Sequence, residues 1–214
     1  MNKKNNSSEE KYKQAVKIAD TISKEMSWIH ANNEILKSSG DKIISEKFIG
    51  TYAGHAWRLL RHTILNEIHI SMHRIIDKNP NVSSLPNLKL LLDKKVLVHV
   101  KKNYTQGKDA YSPRLSMFQA RLNRLLIQLD KKDSKFKSLI IHRHTRLAHS
   151  AQQPYTGDNK IKWGDETKLI KTFEDIVAPM EHLFLNAGNI SGSKKSSYKM
   201  YADDLWSSFC PKKE

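Results

Sequence analysis

Ser112-Pro-Arg-Leu-Ser-Met-Phe-Gln-Ala-Arg-Leu-Asn-Arg-Leu-Leu-Ile-Gln-Leu-Asp130 is the stretch that indicates the fold class most directly. Its apolar residues recur every three or four positions, the repeat of one face of an α-helix. They are Leu115, Phe118, Leu122, Leu126 and Leu129. Arg114, Arg121 and Arg124 fall on a neighbouring stripe. The stretch therefore predicts an amphipathic helix with a buried apolar face and a basic flank.

The same repeat continues on both sides of this stretch and predicts a series of helices. They are Ser8 to Lys37, Ser45 to Lys78, Leu85 to Leu97, Ser112 to Asp130, a helix capped by Ser134, and Asp165 to Asn186. Pro179 predicts a kink in the last of these. Loops are predicted over residues 99–111 and 151–165, and a linker over residues 188–197.

The predicted elements suggest a simple domain organisation. We expect a disordered tail over residues 1–7 and a single helical domain over residues 8–189. A linker and a C-terminal tail or docking helix are expected over residues 190–214. The 214 residues include only eight Gly and six Pro, and residues that favour helices dominate. The sequence therefore predicts an all-α bundle of long antiparallel helices with a short extra helix.

The sequence also bears on the compartment. No stretch approaches the roughly 18 apolar residues that a membrane-spanning helix needs. The first residues, Met1-Asn-Lys-Lys4, lead into polar sequence rather than the core of a signal peptide. Cys210 is the single cysteine, which excludes an intramolecular disulfide. These observations favour a reducing cytoplasm and no membrane partner.

Positive charge is concentrated in one part of the chain. The formal net charge is +15, and residues 89–149 contribute +11 of it, with 15 Lys and Arg against 4 Asp and Glu. Residues 1–88 contribute +4, and residues 150–214 are neutral overall. A concentrated positive field favours a polyanion partner, for which RNA is the candidate. The alternative is a solvated lysine-rich face.

The basic segment ends in Leu139-Ile-Ile-His-Arg-His-Thr-Arg-Leu-Ala-His-Ser150, which gathers three histidines and two arginines. On a helix with about 100° per residue, one arc of about 60° holds His142, Arg146 and His149. Arg143 lies at the edge of that arc. An imidazole such as that of His149 moves protons near neutral pH, and the guanidinium of Arg143 can hold a phosphate through paired donors. The segment is therefore suited to cutting RNA without a metal.

The Arg–His spacing by itself is weak evidence for a catalytic site, because such a pair is expected by chance about once in a chain of this composition. The residues are more specific. Arg143-His-Thr-Arg-Leu-Ala-His149 resembles the motif of the HEPN superfamily, and its Arg-Leu-Ala-His ending is similar to the abortive-infection AbiU-like branch. A second segment agrees, because Ile68 to Asp77 and the leucine-rich Leu85 to Leu92 resemble consecutive elements of that branch. The resemblance extends over residues 45–185.

The resemblance implies a HEPN-like helical bundle that dimerises and an endoribonuclease that needs no metal or other cofactor. Such proteins often serve as toxins or phage-defence effectors, so a cognate antitoxin is a candidate partner. Arg143 and His149 match the catalytic pair, and His144 takes the polar position, where asparagine or aspartate is commoner. Some members have lost activity. The alternative is therefore a non-catalytic module of the same fold that binds RNA or a protein.

Other residues of the chain have weaker assignments. Candidates for RNA contacts are Arg146, His142, Arg121, Arg124, Lys94 and Lys95. The histidines at positions 55, 62, 69 and 73 recur at helical spacing, but without an acidic cluster they favour a polar seam or a solvent-facing stripe over a metal site. Aromatic residues could stack on bases, with burial or loop anchoring as the alternative. They are Trp57, Trp163, Trp206 and Tyr155.

Overall fold

The computed structural model describes residues 7–131, 134–142, 164–188 and 190–209. Within these residues the regular elements are helices, without a β-strand, which confirms the all-α prediction. They are α1 (Ser8–Ser39), α2 (Lys42–Phe48), α3 (Ala53–Ile76), α4 (Leu85–Leu91), α5 (Lys94–Asn103), α6 (Lys108–Asp130), α7 (Lys135–His142), α8 (Asp165–Leu185), α9 (Ile190–Ser193) and α10 (Lys195–Phe209). No described helix combines the length and apolar character needed to span a bilayer.

Helix α1 is the element on which the others assemble. It begins with a capping box, in which the Ser7 hydroxyl accepts from the Glu10 backbone N–H at 3.2 Å and the Glu10 carboxylate accepts from the Ser7 backbone N–H at 2.8 Å. Helices α3, α8 and α10 pack against it. The buried face carries the apolar residues that the sequence predicts, each at most 6% exposed. They are Ala15, Ile18, Ala19, Ile22, Met26 and Ile29.

Helix α8 runs antiparallel to both α1 and α6. Contacts with α1 occur in reverse order along the two helices, position 23 against 181 and position 30 against 174. Contacts with α6 follow the same rule, position 114 against 182 and position 121 against 175. The Phe118 ring of α6 meets the Phe184 ring of α8 edge to face, with centroids 6.1 Å apart. The predicted long antiparallel helices therefore form the centre of the bundle.

The second predicted helix, Ser45 to Lys78, is wrong near its start. The structure has α2, a break at residues 49–52, and then α3. Gly50 takes a φ of +78°, which favours glycine. A Cβ atom at Gly54 would lie 2.3 Å from the Phe48 carbonyl oxygen. Two glycines thus permit a tight turn that a continuous helix would not contain.

The predicted short helix from Leu85 to Leu97 is two helices, α4 and α5. Asp93 separates them, because its carboxylate accepts from the Val96 backbone N–H at 2.9 Å and caps α5. Helices α5 and α6 both extend into the predicted loop over residues 99–111. Pro113 therefore lies inside α6, where it removes one backbone hydrogen bond near the start of a 23-residue helix.

The C-terminal residues fold onto α1. The predicted linker over residues 188–197 is wrong, because α9 and the first residues of α10 lie there. Trp206 of α10 is 1% exposed, and its indole N–H donates to the Ile35 carbonyl of α1 at 3.0 Å. A buried indole whose N–H is hydrogen-bonded fixes α10 against α1.

A polar seam runs between α1, α8 and the C-terminal helices. Glu181 of α8 is fully buried. Its carboxylate accepts from the Ser23 hydroxyl at 2.7 Å and from the Ser191 backbone N–H at 3.1 Å. One buried side chain thus ties three helices together, because a buried carboxylate left without these donors would be costly.

The same seam contains a buried histidine. His30 is 2% exposed, and its Nδ1 lies 3.5 Å from the Glu174 carboxylate, which also accepts from Lys195. Burial is the main cause that lowers the pKa of His30 to about 4, and the charge of Lys195 acts in the same direction. The Glu174 charge opposes the shift and is outweighed. His30 is therefore neutral at pH 7.

We expect the fold to lose stability as the pH falls from 6.5 to 4. The unfolded chain protonates His30 near its ordinary pKa of about 6.5, whereas the folded chain protonates it near 4. The unfolded state binds more protons in this window, so the free energy of unfolding decreases as the pH is lowered, by about 3 kcal/mol in full. Urea unfolding at pH 7 and pH 4.5 measures the loss. The His30→Gln protein should lose less than wild type, and equal losses would contradict the assignment.

Candidate functional site

Helix α7 leads directly into the histidine- and arginine-rich segment. As predicted, Ser134 caps it, because the Ser134 hydroxyl accepts from the Lys137 backbone N–H at 3.1 Å. Phe136 and Leu139 are buried, and the Phe136 ring meets Phe173 of α8 edge to face at 5.6 Å. Helices α3, α6 and α8 all contact α7. The start of the segment is therefore anchored in the core.

The predicted catalytic residues Arg143, His144 and His149 lie outside the described residues, as does Arg146. His142 is the last residue of α7, and its side chain also lies outside the description. The roles assigned to these five residues stay predictions.

Arg121 has a structural contact that the sequence did not indicate. Its guanidinium donates to the backbone carbonyl of Asp175 in α8. Pro179, four residues further along α8, has no N–H to donate to that carbonyl. Arg121 therefore supplies the hydrogen bond that Pro179 cannot, and it joins α6 to α8 at this point. This contact holds the Arg121 side chain against α8, and its predicted role in RNA binding stays a prediction.

The other described candidates for RNA contacts, Arg124, Lys94 and Lys95, are exposed. Arg124 lies toward the end of α6, and Lys94 and Lys95 lie at the start of α5. Helix α5 is joined to the beginning of α6, because the Tyr111 hydroxyl donates to the Leu97 carbonyl at 3.0 Å. Position 111 lies about 20 Å along α6 from Arg124. Lys94 and Lys95 therefore lie on a helix that contacts the start of α6, whereas Arg124 lies toward its end, and RNA contacts by all three stay predictions.

A cleft that the sequence did not indicate lies where α6 ends and α7 and α8 begin. It has a volume of about 680 Å³. The described residues that line it are Gln128, Lys131, Ser134, Lys135, Phe136, Asp165, Lys168, Leu169 and Thr172. The run of lysines around position 131 could have indicated a basic site. Lys168 lies in the segment over residues 150–214, which is neutral overall, so the sequence gave no indication of its role. Only the packing of α8 against α6 and α7 brings these lysines to one place.

The histidines of α3 divide into two groups. His55 and His62 are exposed, whereas His69 and His73 are buried. Nδ1 of His73 lies 3.8 Å from the Asp77 carboxylate. Among the described residues, no group of three or more His, Cys, Asp or Glu side chains is arranged to hold a metal ion. The stripe therefore combines both predicted alternatives, a solvent-facing part and a seam.

Trp57 and Trp206 take part in packing. Trp57 stacks on Phe48 with ring centroids 6.0 Å apart, and the Arg61 guanidinium lies 4.7 Å from the Trp57 ring centroid. Trp206 is buried against α1. Trp163 and Tyr155 lie outside the described residues. For Trp57 and Trp206 the packing alternative therefore applies, rather than stacking on bases.

A contact between an arginine and a histidine joins the α5–α6 connection to α8. Arg114 donates to the Tyr104 hydroxyl, and its Nη1 lies 3.2 Å from Nδ1 of His182. The Gln106 side-chain oxygen lies 2.8 Å from the same nitrogen. Burial first, and then the Arg114 charge, lower the pKa of His182. Because these polar groups contact one another, we interpret them as a structural clasp.

Comparison with known proteins gives a match to one family model. The HEPN_AbiU2 model, described as AbiU2, matches residues 12–205, a span that includes Arg143 and His149. No curated protein and no solved structure matches the chain. The family match covers most of the chain and confirms the resemblance drawn from the short motif. The chain therefore belongs to the HEPN_AbiU2 family.

Proposed function

We propose that this chain is a metal-independent endoribonuclease of the HEPN type, acting in the cytoplasm as a toxin or phage-defence effector. The observation that carries the proposal is the family match over residues 12–205, a span that includes Arg143 and His149, which resemble the motif of the superfamily. HEPN domains of this kind belong to nuclease-type and abortive-infection-type modules. The +11 charge of residues 89–149 supports RNA as the substrate.

Cleavage of RNA without a metal needs three groups at the phosphate. A base takes the proton of the 2′-hydroxyl, an acid protonates the leaving 5′-oxygen, and a positive charge stabilises the phosphorane. His149 supplies the base or the acid, and Arg143 supplies the positive charge. The 2′-oxygen bonds to phosphorus as the bond from phosphorus to the 5′-oxygen breaks. The products are a 2′,3′-cyclic phosphate and a 5′-hydroxyl.

A single copy of Arg143 and His149 provides too few groups for base, acid and charge together. A two-fold axis that places two copies across one cleft would double the number of groups without new sequence. We therefore propose that the chain acts as a homodimer with α7 and the motif at the interface. A cognate antitoxin protein is a further candidate partner.

The test is an RNA cleavage assay with a chelator present. Purified protein should cut single-stranded or loop RNA and leave 2′,3′-cyclic phosphate ends, and sequencing of the 5′ ends should locate the cuts. Light scattering on the same sample should give twice the chain mass. Binding without cleavage would favour the alternative, a non-catalytic module of the same fold. Full activity from a monomer would contradict the two-copy site.

A further inference from the structure

The cleft between α6, α7 and α8 has an excess of positive charge. Among the residues that the structure describes, three lysines and one aspartate line it. Lys135 and Asp165 neutralise each other, because the ammonium and the carboxylate lie 2.8 Å apart. Within the part of the chain that the structure describes, neither Lys131 nor Lys168 forms an ion pair. Two ammonium groups without an ion-pair partner among the described residues therefore line one concave surface.

The floor of the cleft is formed in advance by the core. Phe136 and Leu169 are 4% and 3% exposed, so they are packed in place before any ligand arrives. The volume of about 680 Å³ is within the range of about 300–1,000 Å³ that ligand-binding clefts occupy. A preformed cleft reduces the ordering cost of binding.

The lining favours a phosphate backbone over a base. A base would need an open aromatic face for stacking, but the Phe136 ring is buried against Phe173. The Ser134 hydroxyl already caps α7, and the Thr172 hydroxyl already donates to the Lys168 carbonyl at 3.0 Å. The groups left to bind a ligand are chiefly lysine ammonium groups, which act on phosphates as point charges.

The position of the cleft relates it to the motif. Lys135 is the first residue of α7, and His142, the last, directly precedes Arg143. Seven residues of α-helix separate the two ends of α7 by about 10 Å. A ligand in the cleft would therefore lie beside the helix that leads into the predicted catalytic residues.

We propose that this cleft binds the phosphodiester backbone of single-stranded RNA through Lys131 and Lys168, and so holds the strand that flanks the cut site. The inference rests on the proposed function for its choice of RNA. It assigns the cleft to positioning and affinity, and it expects little dependence on base sequence, because phosphate contacts carry no sequence information.

The experiment compares two double variants in a His149→Ala protein, which keeps the RNA intact during binding. Lys131→Gln with Lys168→Gln changes the cleft. Lys108→Gln with Lys194→Gln is the matched control, because those exposed lysines lie outside the cleft and the net charge falls equally. Fluorescence anisotropy with a labelled unstructured RNA oligonucleotide gives the Kd at several salt concentrations. Thermal unfolding verifies that both variants fold.

We expect the cleft variant to raise the Kd about tenfold and the control to raise it less than twofold. The slope of log K against log salt should fall by about 1.4 for two lost phosphate contacts on a single strand. If the control variant binds RNA as weakly as the cleft variant does, the inference is overturned, because only the overall charge would then determine affinity. Unchanged binding by the cleft variant would also overturn it.

Cleavage assays separate this inference from the proposed function. In the protein with His149 restored, the cleft variant should raise the KM and leave the kcat unchanged. Wild-type protein that binds RNA through the cleft but never cuts it would sink the proposed nuclease and leave the cleft assignment standing. Conversely, cleavage that depends on His149 but not on Lys131 and Lys168 would support the proposed nuclease and contradict the assignment of RNA binding to the cleft.

Discussion

Replacing His149 or Arg143 by alanine should lower the rate of RNA cleavage by ~10² or more, the scale expected for a positioned acid, base or charge stabiliser. Removing His149 leaves either the 2′-hydroxyl without a base or the 5′-oxygen without an acid. Removing Arg143 leaves the phosphorane charge without its guanidinium. Single-turnover cleavage of a labelled RNA, with a chelator present, measures both effects on the chemical step.

The matched control for these variants is His62→Ala. His62 is an exposed histidine of α3 whose ring contacts Asn66, so its loss removes an imidazole without disturbing the core. This variant should cut RNA at the wild-type rate. Equal activity in wild type, His149→Ala and Arg143→Ala would point to a contaminating nuclease, and the proposal would then fail.

Replacing Phe173 by alanine should lower the free energy of unfolding by about 3–5 kcal/mol, the usual cost of deleting a buried phenyl group and leaving a cavity. Phe173 is fully buried and meets the Phe136 ring edge to face. The substitution therefore removes core packing and also loosens α7. Urea unfolding followed by circular dichroism measures the loss.

Ile127→Ala provides the comparison for Phe173→Ala. Ile127 lies on α6 and is 61% exposed, so its truncation should change the free energy of unfolding by no more than about 0.5 kcal/mol. Similar losses in the two variants would mean that Phe173 is not in the core that the structure places around α7.

Helices whose buried faces repeat without interruption could be predicted from the sequence. Helix α1 begins one residue after Ser7, which forms the capping box with Glu10, and its predicted buried face is the one observed. Helix α8 begins at Asp165, as predicted, and ends one residue before Asn186. In these helices the cap and the apolar repeat lie within a few residues of each other, so local sequence carries the information.

The errors lie where neighbouring residues gave a misleading pattern. Ile49 and Tyr52 continue the apolar repeat of α3, yet they are 67% and 100% exposed in the break before it. Apolar spacing predicts which side chains share a face, but it does not show that another element covers that face. The same reason explains the error at the C-terminal residues. Trp206 is buried on α1, and helices lie where the sequence predicted a linker.

The sequence by itself determined the helical class, the buried face of α1, and the motif from Arg143 to His149 that led to the family. Each depends on residues close together in the chain. Only the tertiary structure decided that Arg121 bonds to the Asp175 carbonyl, and that Lys131 and Lys168 line one cleft. Those contacts join α6 to α8 across dozens of residues. They form because antiparallel packing around the core brings distant side chains together, and no local pattern encodes that approach.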